Sequence, residues 1–156
     1  MGDTMKCIIF DIDGTLANAS HRIHHIKKQP KDWDAFFDGQ ADDKPHWHIV
    51  DTLLAFKSLS KYAVIFASGR PERYRKMTVA WLEKYGLHNP FLDAKLWLFM
   101  RPDGDRRDDD IVKREILGKM WQEGLEPVMA FDDRDRVVKM WRENGVPCCQ
   151  VAEGDF

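Results

Sequence analysis

The stretch KCIIFDIDGTLA, residues 6–17, decides the fold. Four apolar residues, 7–10, run into Asp11, Asp13, Gly14 and Thr15. A short apolar run closed by a glycine-bearing polar turn is the pattern of a buried strand leaving its sheet. Asp11 and Asp13 then stand on the loop beyond the strand's carboxyl end, where open α/β sheets bind their ligands.

Outward from this strand, YAVIFA (62–67), KLWLFMR (95–101), PVMAF (127–131) and CCQVA (148–152) read as four more strands. Helical spacing of apolar residues fills the intervals 46–60, 74–85, 111–123 and 135–144, and Gly86, Gly124 and Gly145 mark helix ends. Strands alternating with helices at this spacing predict an α/β fold of three layers, a central five-stranded parallel sheet with helices on both faces. Residues 18–45 lack clean periodicity and mix histidine, lysine, aspartate and aromatic residues, which predicts a small cap inserted after the first strand. No repeat or linker divides residues 1–156, which are expected to form a single domain.

With 156 residues, 44% hydrophobic and 32% charged, the chain is long enough to bury a proper core. A formal charge of −2 excludes a protein that holds long nucleic acid by bulk electrostatics, but leaves short or end-bound nucleic acid open. Cys7, Cys148 and Cys149 are an odd set, and Cys7 sits in the first strand, so reduced thiols and a cytoplasmic location are expected. No run has the length of a membrane span or the apolar core of a signal peptide, and no membrane association is expected.

Three strands lead into polar clusters: DIDGT, SGR and DDRDR. A parallel sheet puts these ends on one edge, so Asp11, Asp13, Ser68, Asp132 and Asp133 can converge, with Lys113 reaching them from the head of the intervening helix. Several carboxylates and one lysine suit phosphoryl transfer. Oxygen-only ligands favour a hard cation such as Mg2+, and an aspartate is an established nucleophile towards phosphorus.

In this order the four motifs resemble those of the haloacid dehalogenase (HAD) superfamily, whose Rossmann-like fold the chain would share. The resemblance implies Asp11 as nucleophile, Asp13 as general acid and then base, and Ser68 as a phosphate donor. It also implies Lys113 as the neutralising cation, and Asp11, Asp13, Asp132 and Asp133 around Mg2+, with Asp13 contributing its backbone carbonyl. Thr15 is expected to fix the loop after Gly14. More narrowly, LFMRPDGDRRDDDIVKREI and FDDRDRVVKMWRENGVPCCQVAEGDF are similar to the phosphatase domain of the bacteriophage polynucleotide kinase/3′-phosphatases. That likeness implies removal of 3′-phosphates from polynucleotide ends or nucleoside 3′-phosphates, Arg22 and Arg70 on the substrate phosphate, and Asp109 oriented on Lys113. It does not extend to residues 18–45, and no G-x-x-x-x-G-K-[ST] loop occurs, so 5′ phosphorylation by this chain is not expected, and a separate kinase or ligase partner is left open.

The same residues leave two alternatives: a 5′-nucleotidase or broad small-molecule phosphatase of this superfamily, and a non-catalytic binding domain. Several features read more plainly. The HWH pair (46–48) lacks the partners of a zinc site. Asp103, Asp105, Asp108 and Asp110 read as solvent-facing or helix-starting charges. Trp33, Phe36, Phe37 and Trp47 read as aromatics that pin the cap to the body rather than stack a base. Lysines and histidines of the cap offer a basic face for a phosphate backbone or simply for solvent.

Overall fold

A computed structural model of the chain describes residues 2–156. In chain order the elements are strand β1 (Met5–Phe10), the two-residue strand β2 (Ala17–Asn18), short helices α1 (His24–Lys27) and α2 (Trp33–Asp38), and strand β3 (Lys44–Pro45). Helix α3 (Trp47–Ser58), strand β4 (Ala63–Pro71), helix α4 (Arg75–Lys84), strand β5 (Trp97–Arg101) and helix α5 (Asp109–Gln122) follow. Strand β6 (Leu125–Asp132), helix α6 (Asp135–Glu143) and strand β7 (Cys148–Gln150) complete the chain.

The main sheet has the order β5-β4-β1-β6-β7 and every pairing in it is parallel. β1 lies at its centre, which is why its sequence is apolar without interruption: both faces are covered. Ile8 and Phe10 join the core shared with Val50 and Leu53 of α3 and Trp81 and Leu82 of α4. Cys7 and Ile9 face the opposite core, built with Val112, Ile116 and Leu117 of α5 and Val137 and Trp141 of α6. Phe10 stacks on Phe131 of β6 with centroids 4.7 Å apart and planes 2° apart.

From β1 the chain moves outward through β4 to β5, then returns through α5 to β6 on the other flank of β1. The crevice at that reversal lies beyond the carboxyl ends of the central strands, the place where such sheets bind ligands.

Several boundaries differ from expectation by a residue or two, β7 for instance ending at Gln150 rather than 152 and β5 starting at Trp97 rather than 95; three differences have a clear physical cause. β4 continues past Ala67 to Pro71, because β5 runs alongside it; the ladder shifts register between Ser68 and Pro71, so SGR belongs to the strand rather than to a loop beyond it. α5 starts at Asp109, not 111, placing Asp109 and Asp110 in the first turn, where the helix N-terminus favours negative charge. β6 begins at Leu125, and Pro127 is accommodated where the β1/β6 register shifts between Cys7 and Ile8.

Between β1 and α3 the ends of residues 18–45 are drawn together by β2 and β3, which pair antiparallel. Phe36 and Phe37 from this segment are buried in the core that Tyr74 and Trp81 share. Trp81 also donates its indole N–H to the Asp43 carbonyl at 2.9 Å. Trp33 and Trp47 do not pin the segment as expected: they are 40% and 55% exposed.

Trp81→Phe removes the indole donor and part of a buried ring, and a loss of about 2 kcal/mol in folding stability is expected. A urea titration of the variant against the parent measures it.

Candidate active site

Lys113 lies one helical turn inside α5 and is 1% exposed. Its Nζ donates to Asp11 Oδ1 and Asp132 Oδ2, each at 2.8 Å, and lies 3.7 Å from Asp109 Oδ2. Asp109 and Lys113 are four residues apart on one helix face. Burial alone would lower the lysine's pKa, but Asp11, Asp132 and Asp109 overcome it and hold the group well above its ordinary value.

Each carboxylate around it has a distinct environment. Asp11 is nearly buried, and its second oxygen accepts the Thr15 hydroxyl at 2.9 Å, so Thr15 touches this carboxylate as well as shaping the turn. Asp132 Oδ2 also accepts the Trp141 indole N–H at 3.2 Å, while Oδ1 accepts the Asp133 backbone N–H at 3.0 Å. Asp133 packs over Gly14, whose φ of +84° suits glycine; a Cβ there would stand 2.2 Å from Asp133 Oδ2. Oxygens of Asp11, Asp132 and Asp133 all lie within 4.8 Å of one another. Burial, then the charge of Asp132, raises Asp11 well above the usual carboxylate range and pushes Asp133 up to about 7.

Asp13 belongs to a second cluster. Its carboxylate accepts Arg22 Nη2 at 2.5 Å and Arg70 Nη2 at 2.6 Å, with Arg70 Nε at 3.1 Å from both oxygens. The guanidinium groups are held from behind by Asp43, which accepts Arg22 Nε at 2.8 Å and Nη2 at 2.6 Å and Arg70 Nη2 at 3.2 Å. Gln40 Oε1 accepts from Arg70 Nη1 at 2.6 Å and from the Thr78 hydroxyl at 2.8 Å. Burial opposes ionisation of Asp13, but Arg70 and Arg22 outweigh it and keep the carboxyl well below its ordinary range. Asp13 is therefore charged here, and the two arginines lie behind it. Ser68 is buried with them, its Oγ accepting the Arg70 backbone N–H at 3.1 Å.

The sequence missed Asp43 and Gln40, because residues 39–43 have no periodicity to mark them, and it read Thr78 only as part of the buried face of α4. Arg101 was missed too: from the end of β5 it donates to Gly69 O at 2.9 Å, Arg107 O at 2.6 Å and Asp109 Oδ1 at 3.1 Å. It fixes Asp109 and the loop before α5 together, and an arginine closing a strand beside SGR was the available signal. Asp105 is not solvent-facing as expected; it is largely covered and accepts Arg107 Nε and Nη2, with Nη2 at 2.7 Å.

Asp11, Asp13, Gly14, Gly69 and Asp133 open onto a groove of about 1220 Å3. Gly69 is tight against Asp109, whose Oδ1 would lie 2.4 Å from an added Cβ. Ala152 and Phe156 also line the groove; between them Gly154 packs on the chain after β6, its O accepting the Asp135 backbone N–H at 2.8 Å, and an added Cβ there would meet the Asp133 carbonyl at 2.1 Å. The other titratable candidates do not build a site. His46 Nδ1 lies 3.1 Å from the Thr15 carbonyl, and Cys7, Cys148 and Cys149 are free thiols, with burial pushing Cys7 and Cys148 up to about 12.

Residues 5–156 match the family described as the polynucleotide kinase PNKP phosphatase domain. The chain belongs to this family. As a member of it, the chain is a phosphatase domain, a phosphate-ester hydrolase with the HAD fold. It is 27% identical over 144 residues to a protein of Autographa californica nuclear polyhedrosis virus named as a bifunctional polynucleotide kinase/RNA ligase, covering 91% of this chain and 18% of the viral one. A chain in the structure of the Pnkp1/Rnl/Hen1 RNA repair complex matches with a TM-score of 0.77 and 33% identity over 98% of this chain and 44% of that one. The haloacid dehalogenase-like protein SP0104 from Streptococcus pneumoniae shares the fold at a TM-score of 0.61 and 14% identity, covering 94% of this chain and 84% of that one. The chain thus spans less than half the length of the kinase/ligase and repair-complex relatives. No helix among the described residues is long and apolar enough to cross a membrane.

Since the folded state raises the pKa of Asp133, its charge opposes folding: the penalty is absent below about pH 4 and fully present above about pH 7. Asp133→Asn is expected to raise the melting temperature at pH 8 in chelator by roughly 3–6 °C, equivalent to about 1–2 kcal/mol for a chain of this size. At pH 4 the two proteins should melt alike, and differential scanning calorimetry at both pH values checks the sign.

Proposed function

We propose that the chain is a Mg2+-dependent phosphomonoesterase that removes 3′-phosphates from polynucleotide ends or nucleoside 3′-phosphates through an aspartyl-phosphate on Asp11. The observation that carries this reading is the buried grouping of Asp11, Asp132 and Asp133 around the single ammonium of Lys113. Three carboxylates against one cation leave an excess of negative charge in a dry site, which a hard divalent cation with oxygen ligands would relieve. Asp11, Asp132, Asp133 and the backbone carbonyl of Asp13 would hold Mg2+. When bound it would neutralise charge between phosphate and Asp11.

In the proposed reaction an Asp11 oxygen attacks phosphorus while the bond from phosphorus to the substrate's 3′ oxygen breaks. Lys113 and the Thr15 hydroxyl, one on each Asp11 oxygen, orient the carboxylate for attack. Arrival of the phosphate gives Arg22 and Arg70 a second anion to bind. Asp13, released from them, takes up a proton from solvent as the phosphate replaces it on the arginines, and carries that proton to the leaving oxygen, yielding a 3′ hydroxyl. Asp13 then takes a proton from water as that water attacks the aspartyl-phosphate, and inorganic phosphate leaves with Asp11 restored. Ser68 donates to the phosphate, and Asp109 keeps Lys113 in line.

The family and the RNA-repair names of the relatives favour a polynucleotide end over a metabolite, and the groove is open enough for one. Residues 18–45 act as its cap. A kinase or ligase that works with this domain would lie outside these residues, in further chain or in a partner, and the unpaired thiols suit a reducing, cytoplasmic setting. A non-catalytic role is disfavoured by the complete set of charged groups.

Phosphate release from matched 3′- and 5′-phosphorylated oligonucleotides and the corresponding mononucleotides, with Mg2+ and with chelator, tests the reading. Strong preference for 3′ ends, dependence on Mg2+ and a loss of about a thousandfold or more in Asp11→Asn are expected. Equal or faster release from 5′-mononucleotides would move the protein to nucleotide metabolism, and retained activity in a folded Asp11→Asn would remove the nucleophile assignment.

A further inference from the structure

The groove over Asp11 and Asp13 extends past Ile23 and Ile26 to Trp33 at the start of α2. Of the four aromatics in this part of the sequence, Phe36 and Phe37 are buried, and Trp47 lies off the groove, edge-on to Tyr85. Trp33 remains, 40% exposed and on the groove.

Its ring is braced rather than loose. Phe37 stacks against it at 5.9 Å and 23°, and Phe36 meets it edge-on at 5.8 Å and 89°. An exposed indole supported in this way offers a flat apolar surface whose orientation is already fixed, so a ring laid upon it need not order it first.

The charges beside it are unevenly used. Arg73 is paired with Asp34, and Arg107 with Asp105 and Glu115. Lys28, Lys31, Arg106 and Arg134 line the same groove with no carboxylate partner among the described residues, and Lys31 Nζ lies 5.6 Å from the Trp33 ring centroid. A braced aromatic ring bordered by unpaired cations, continuous with a phosphatase centre, fits a ligand with a flat base and anionic linkages.

We propose that Trp33 stacks a base at the phosphorylated 3′ end and thereby makes the enzyme prefer ends that carry bases over base-free phosphate esters. The proposal rests on the 3′-phosphatase reading above. Trp33 is assigned a specificity role only, with no part in the chemical step.

The test compares the parent, Trp33→Ala and Trp33→Phe on two 3′-phosphorylated oligonucleotides that differ only in the last two nucleotides, normal in one and abasic in the other. Trp33→Ala is expected to raise KM about tenfold on the normal end, leave kcat unchanged, and have no effect on the abasic end. Trp33→Phe should recover most of the loss. Equal effects on both ends, a fall in kcat on both, or no effect on either overturns base stacking while the 3′-phosphatase function stands. Absence of release by the parent from either 3′ end overturns the function itself and, with it, the ligand assigned to Trp33.

Discussion

Lys113 Nζ, buried and 2.8 Å from carboxylates at the ends of two neighbouring strands, is the interaction on which the site depends. Asp11 follows β1 and Asp132 ends β6, and without the ammonium two like charges would meet in a medium of low polarity. The parallel sheet brings the strand ends together, and α5 delivers the lysine from the opposite direction. Asp109 and Arg101 then continue the chain of charges to the edge of the sheet at β5. The fold and the chemistry are joined at this ammonium because moving any one of these elements would leave a buried charge without its partner.

Where local sequence carries the information, the structure was legible. An uninterrupted apolar strand followed by aspartates, a lysine near a helix start and a pair of aspartates after a strand locate Asp11, Lys113, Asp132 and Asp133, because strand direction decides where they meet. The extension of β4 through Ser68, Gly69 and Arg70 was not legible: a serine–glycine–arginine–proline run has no strand preference, and it is held in the ladder by β5 and Arg101 from a distant part of the chain. Asp43 and Gln40 were hidden for a similar reason, since their importance comes from what packs around them. Trp33 and Trp47 were misjudged because aromatic composition predicts burial on average, whereas Trp33 lies outside the buried Phe36 and Phe37 and Trp47 sits edge-on to Tyr85 at the surface.

Residues 18–45 are tied to the body by more than apolar packing. Arg22, Gln40 and Asp43 come from this segment, and Asp13, Arg70 and Thr78 from the body, and their hydrogen bonds cross between the two. Opening the segment as a unit would expose or strand several charges at once, so it is a fixed wall rather than a swinging lid. In the proposed reaction substrate would then enter along the groove instead of beneath a moving cover.

The two guanidinium groups and the carboxylates of Asp13 and Asp43 form a set that is electrically neutral by itself. In the proposed reaction, an incoming phosphate gains its arginines by exchange with an internal anion, not by filling an unmet need. Much of the attraction is thereby cancelled, for substrate and for released inorganic phosphate alike. A hydrolase benefits from that cancellation: its product is a small, highly charged anion that would otherwise linger, and an internal carboxylate returning to the arginines helps to expel it.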